Sequence, residues 1–164
     1  MGMEEGLKRG SRGCPVSRAN RNLPDSDELP TNQKKIRYFD VQTLIGINAK
    51  VVLLTREDHR FTKDDKQRMR KLLIIVRKKY NRLARNESII GKASFLMFGI
   101  ASGQHFHEGN KRTAVTAGET FLKANGCSID IKDNELVDAL DKASVGKASL
   151  SKLSEIMRWL IRDV

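Results

Sequence analysis

Gln104-His105-Phe106-His107-Glu108-Gly109-Asn110-Lys111-Arg112-Thr113-Ala114 is the stretch that decides how this chain reads. A carboxylate, a Gly-Asn pair and two adjacent cations follow one another, and an apolar pattern of helical period comes directly after them. Glycine and asparagine are the residue types that enter the left-handed backbone region at low cost. Neighbouring residues of alternating hand turn their N–H groups into one concavity, which suits an anion. Downstream, Ala114, Val115, Ala117, Gly118, Phe121 and Leu122 recur as one buried face of a helix over 111–125. A helix beginning near Asn110 aims its unpaired N–H groups and positive dipole end at the same point. Lys111 and Arg112 add full charges, and arginine can hold a phosphate through two parallel hydrogen bonds. Glu108 is out of place in a bare anion site. A Mg²⁺ ion reconciles it, because that ion binds one carboxylate together with phosphate oxygens and waters. The residues alone leave a second reading open, in which Gly-Asn is an ordinary turn and Lys-Arg a solvated pair.

The flanks add to the loop. Residues 92–103, KASFLMFGIASG, read as a small-residue-rich apolar helix entering it. Residues 121–126, FLKANG, read as the end of the exit helix, with Gly126 as its cap. With the last segment, SLSKLSEIMRWLIRDV, this makes the chain from about Lys35 onward resemble the Fic/Doc (Fido) family. The family signature reads His-x-Phe-x-(Asp/Glu)-Gly-Asn-(Lys/Gly)-Arg. The resemblance implies a mainly all-α fold, a helical bundle with at most a small β-hairpin flap, over residues 33–164. It implies a transferase that moves AMP from ATP to a Ser, Thr or Tyr hydroxyl of a target protein or, in Doc-type members, moves the γ-phosphoryl group. On this chain Glu108 would take Mg²⁺, Gly109, Asn110 and Lys111 would form the anion nest, and Arg112 would clamp phosphate. Phe106 would pack into the core and fix the loop. Lys111-Arg112-Thr113-Ala114 is closer to Doc (death-on-curing) members, which a separate antitoxin restrains. No (Ser/Thr)-x-x-x-Glu-(Gly/Asn) inhibitory helix stands out in the chain.

One position departs from the signature. Where the family has its general base, this chain has Gln104. An amide can hold a hydroxyl but cannot take its proton near neutral pH, and a general base is commonly worth about 10²–10⁴-fold. His105 is the nearest substitute, turned by about 100° if the position is helical; His107 could approach from another side. Two classes of function follow: a Fido-type transferase weakened at its base, and a catalytically inactive Fido-fold module that binds nucleotide, a partner protein or nucleic acid. His105 and His107 beside Glu108 also invite zinc, but a structural zinc site wants four ligands and nothing nearby supplies the fourth. His59 stands alone in a polar loop and reads as exposed.

The rest of the chain sets the frame. Its 164 residues suit one domain with a single core. Residues 1–32 are polar, hold all three prolines and lack apolar periodicity, so they read as a disordered or loosely attached tail that folding can do without. Phe39 to Leu54 reads either as a helix or as a helix followed by a short strand, and Thr55 to Asp65 as a loop or hairpin, the counterpart of the family's target-positioning flap. The net charge is +11, and nine basic residues with no acidic one fall between Lys66 and Arg85. Met69, Leu72, Leu73, Val76, Tyr80, Leu83 and Ala84 recur through that stretch, which reads as one amphipathic helix with a basic outer face. That face offers a site for nucleic acid or an acidic partner, or is simply solvated; its lack of interleaved aromatics weakens the nucleic-acid case. Asp133 or Asn134 is placed to cap a short helix through Ala143, and Ser149 or Ser151 the last one. Two separated cysteines, Cys14 and Cys127, argue against a disulfide framework. No apolar run is long enough to span a membrane and no signal-peptide pattern opens the chain, so a cytoplasmic setting is expected.

Overall fold

The computed structural model describes residues 35–55, 60–129, 135–145 and 149–163. The expected tail, His59, Asp133, Asn134 and Cys14 fall outside the described residues. Among the described residues six helices carry the fold: α1 Val41–Thr55, α2 Lys63–Lys78, α3 Arg85–Gly103, α4 Asn110–Ala124, α5 Glu135–Ser144 and α6 Leu150–Leu160. The mainly all-α bundle is as expected. Among the described residues two three-residue strands, β1 Cys127–Ile129 and β2 Ile161–Asp163, pair antiparallel with Cys127 opposite Asp163. They join the end of α4 to the end of the chain, so they are not a hairpin and do not lie in the 55–65 segment.

α3 is the hub. After its first turn its sequence is apolar or small on every side except at Lys92, the pattern of a helix enclosed by others, and it packs against α2, α4, α5 and α6. Ile89, Ile90, Ala93, Leu96, Met97 and Ile100 are all buried along it. Gly118 of α4 faces Met97 so closely that a Cβ there would meet the methionine Cε at 1.8 Å. α1 lies against the other side of α4. The loop between α3 and α4 is the motif stretch, and this packing fixes both of its ends.

The ambiguity over 39–54 resolves as a single helix. Leu44, Ile45, Asn48, Val51 and Val52 form its buried stripe, a helical period. Leu53 and Leu54, which made the end look like a strand, are 77% and 85% exposed. Asp40 starts α1, accepting hydrogen bonds from the Thr43 N–H at 2.8 Å and the Thr43 hydroxyl at 2.7 Å. Asn125 at the end of α4 clamps the chain ahead of α1 through the backbone N–H and C=O of Arg37, at 2.8 and 3.1 Å. Gly126 follows at φ 82°, the left-handed end expected of it. Ser149 begins α6, its hydroxyl accepting from the Lys152 N–H at 3.3 Å.

Two expectations about the middle of the chain need correction. The 55–65 segment is not a free loop throughout, because α2 already begins at Lys63. Thr62 and Asp65 form a reciprocal capping box there. The single basic helix over 66–85 is instead broken. α2 ends at Lys78, Lys79 is extended, and Tyr80 takes φ 62°. The Tyr80 ring then covers Gly91, where a Cβ would meet it at 2.9 Å. The break is held by Lys92 of α3, which is fully buried. Its ammonium donates to the carbonyls of Val76 at 3.0 Å, Arg77 at 3.1 Å and Lys79, and to Asn81 Oδ1 at 2.7 Å. The carbonyls that end α2 would otherwise lack partners, so a cation from a neighbouring helix caps it.

Candidate functional site

α3 ends at Gly103, and Gln104 caps it in the left-handed conformation at φ 44°, ψ 51°. That geometry is uncommon for a residue other than glycine or asparagine, and two side chains of α2 hold it. Arg68 donates to the Gln104 carbonyl at 3.2 Å and also binds the Asp65 carboxylate. Asp65 is in turn fixed by the backbone and hydroxyl of Thr62, at 2.6 and 2.8 Å. Those bonds, led by the Thr62 N–H, hold its carboxyl below the usual range. The segment ahead of α2 also meets the loop directly, because the Arg60 carbonyl accepts from the His107 N–H at 3.3 Å.

The loop is braced from within. The Asn110 side chain accepts from the Phe106 N–H at 3.0 Å and donates to the Phe106 carbonyl at 2.7 Å. Phe106 is buried, as expected. Gly109 precedes α4 at φ 74°, where a Cβ would press on Val52 at 2.9 Å. Close approach and positive φ together call for glycine here. Asn48 of α1, fully buried, donates to the Glu108 carbonyl and to the Thr113 hydroxyl, each at 3.0 Å. Replacing Asn48 by Ala should therefore cost about 1–3 kcal/mol, the usual cost of stranding buried polar partners. Urea melts of the variant would measure it, and a loss within error would show that the loop does not depend on α1.

Among the described residues, two cavities open on this loop. The smaller, about 440 Å³, is lined by Ala101, Ser102, Gln104, every residue from His107 to Arg112, and Val145. It thus faces the start of α4, where no side chain caps the helix. Its volume is in the range of small-molecule sites. The larger, about 710 Å³, is lined by Arg60, Phe61, Thr62, Asp65, Gln104, Phe106 and His107. Gln104 and His107 belong to both walls.

Most of the residues singled out in the sequence therefore meet. Gln104, His107, Glu108, Gly109, Asn110, Lys111 and Arg112 share the smaller cavity. The Lys111 ammonium, however, reaches the Asp141 carboxylate of α5 at 2.7 Å, and the Asn110 amide is spent on Phe106. What those two residues bring to an anion is their backbone. Among the described residues, no group of three His, Cys, Asp or Glu side chains is placed to hold a metal. A cation that relies on phosphate oxygens and water beside a single carboxylate fits Glu108 better than one held by protein ligands alone.

His105 lines neither cavity. With Gln104 in the left-handed region the chain leaves helical geometry, so a one-residue helical shift does not describe His105. Its ring is tucked under α3, 6% exposed, against Gly103 and bonded to the backbone of Gly99. Burial first, and then the Arg68 charge, push its pKa below the ordinary 6.5, against the opposing pull of Gly99 and Asp65. The sign follows from linkage. The unfolded chain gains a proton below about 6.5, whereas the folded one resists it to a lower pH. Stability is then full above that value and falls as pH drops toward the depressed folded pKa. Melting temperatures between pH 7.5 and 5.5 should fall less steeply in His105→Gln than in the parent; equal slopes would mean that His105 is not buried as a neutral ring.

Asn48, Arg68 and Asp65 are the site residues the sequence reading missed. The Thr-x-x-Asp pattern of a capping box at 62–65 was available as a signal for Asp65. Nothing local marks the other two.

The sequence profile of the Fic/DOC family matches residues 38–122, slightly more than half of the chain and the part that holds α1 to α3, the motif loop and all but the last two residues of α4. No curated protein matches the chain.

Proposed function

The chain belongs to the Fic/DOC family, and from that premise we propose a transferase that moves AMP or the γ-phosphoryl group of a magnesium nucleotide to a hydroxyl of a target protein. The observation that carries this is the pair of adjoining cavities, one at the uncapped start of α4 and the other beside the segment ahead of α2, meeting at Gln104 and His107. In this proposal phosphates occupy the smaller cavity against the 109–112 backbone and Arg112, and the acceptor side chain enters from the larger. Mg²⁺, when bound, would offset phosphate charge, and Glu108 is the residue that would hold it.

The acceptor oxygen forms a bond to phosphorus. For AMP transfer the bond from the α-phosphorus to the leaving pyrophosphate breaks; for phosphoryl transfer the bond from the γ-phosphorus to ADP breaks. In either case the hydroxyl proton must leave. Gln104 can hold the hydroxyl in place, and His107 is the side chain on the shared wall able to accept the proton. Arg112 and the helix start stabilise charge on the transferred group, which is where transfer of this kind gains most of its rate. By resemblance to Doc-type members, a separate antitoxin is the proposed restraint.

Gln104 also favours a second reading, a module that binds nucleotide without transferring from it. ATP labelled separately at the α- and γ-phosphates, incubated with cytoplasmic protein, separates the readings. Label from α on protein means adenylylation, label from γ alone means phosphorylation, and neither leaves the binding module. Nucleotide binding itself is tested by calorimetry with a non-hydrolysable ATP analogue and Mg²⁺. Arg112→Ala should weaken it about tenfold or more, given about 1.5–3 kcal/mol for a hydrogen bond to a charged group. Equal affinity in the variant, or no binding by the parent, would remove the proposed phosphate site.

A further inference from the structure

A groove of about 380 Å³ lies between the chain entering α1 and the outer side of α2, away from the motif loop's lining residues. Phe39, Val41, Leu73 and Ile74 give it an apolar floor, and Arg70 and Arg77 line it as well. Of these Ile74 is 51% exposed, and its chain neighbour Ile75 is 41% exposed. α2 already turns Met69, Leu72, Leu73 and Val76 to the core, so these two isoleucines lie outside its buried stripe. Single exposed apolar residues are ordinary; a half-exposed one that lines a groove together with three other apolar residues is part of a patch. Exposed cations surround them, Lys71 and Lys78 besides the two arginines. Among the described residues one acid lines the groove, Asp40; Thr43 holds its carboxylate at the start of α1, and its single charge is outnumbered by the four cations. Arg77 donates to the Phe39 carbonyl at 3.3 Å and lies 5.5 Å from the Tyr38 ring, which fixes that end of the rim.

We infer that this face docks an acidic, amphipathic segment of a partner protein, with aliphatic or aromatic anchors in the groove and carboxylates on the cationic rim. Charge complementarity selects the sign of the partner. The mainly aliphatic floor selects protein over nucleic acid, whose bases need aromatic platforms. Tyr38 and Phe39 do not serve as such platforms, because both pack on Phe121, with ring centroids 6.1 and 5.9 Å away. A second copy of this chain docked face to face would set cation against cation.

The test is selection from a random peptide display library on the full chain. Expected ligands combine Asp or Glu with Leu, Ile, Phe or Trp. Their affinity should fall about tenfold or more with Ile74→Glu, as for a central anchor, and severalfold with Arg70→Glu or raised salt. Ile74→Ser and Arg70→Ser, checked by melting, should repeat the losses at smaller size and exclude misfolding as their cause. The inference is overturned if no peptide is enriched, if enriched peptides are not acidic, or if Ile74→Glu leaves them unaffected. It is equally overturned if a single-stranded oligonucleotide binds through the same residues. Tighter peptide binding after Asp25, Asp27 and Glu28 are changed to Ser would give the groove to the chain's own acidic stretch instead.

Discussion

Replacing Gln104 by His is expected to raise transfer to protein by about 10²–10⁴-fold, the usual worth of a general base. The structure makes this a clean substitution. Gln104 is exposed and its backbone is held at φ 44° by the Arg68 bond to its carbonyl, whatever the side chain is. Histidine is also among the residue types enriched at positive φ, so the change should not disturb the end of α3. The new imidazole would stand on the wall shared by the two cavities, beside the proposed acceptor. The assay is the rate of label transfer from ATP, read alongside nucleotide affinity for both proteins. A slow parent and a fast variant of equal affinity is the expected pair. If the parent is already fast and the variant no faster, another base is present, and His107→Ala should then abolish transfer. A variant that binds nucleotide yet stays inert would turn the assignment toward a binding module.

Much of this site can be read along the chain because its parts are contiguous. Glu108 to Arg112 are neighbours in sequence, and the periodicity of the flanking segments is enough to set them between two helices. Positive φ at Gly109 and Gly126 follows from residue type. What escaped is what depends on partners far away in sequence. Asn48 acts on residues 60 and 65 positions downstream, and Arg68 on one 36 positions away. Arg68 looked like one more cation on a basic face, and only the fold turns it toward Gln104. The same limit explains the 66–85 segment. Its apolar spacing continues past Lys78, but Leu83 is 48% exposed. The stop comes from Lys92, a residue hidden in an otherwise apolar run. His105 shows the converse, since proximity to the motif in sequence did not bring its ring to the cavity.

Lys92→Met should be strongly damaging although it lies outside the motif, costing about 3 kcal/mol or more. Methionine matches the aliphatic stem and leaves no large cavity, so the loss isolates the ammonium. That group serves the carbonyls of Val76, Arg77 and Lys79 together with Asn81. The Val76 bond is buried, and a buried acceptor left unmade costs about 1–3 kcal/mol. Burial works the other way: it pulls the Lys92 pKa down, which means the charge itself is uncomfortable and is held by its oxygen cage. Removing the charge relieves that cost while stranding the cage, and the several acceptors should outweigh the one desolvated ion. For a domain of this size the drop in melting temperature is on the order of 10 °C. Lys71→Met, on the exposed face of α2, is the control and should move it little. A Lys92→Met protein that melts with the parent would mean that Tyr80 seated over Gly91 ends α2 unaided, and the lysine would be a passenger in the core.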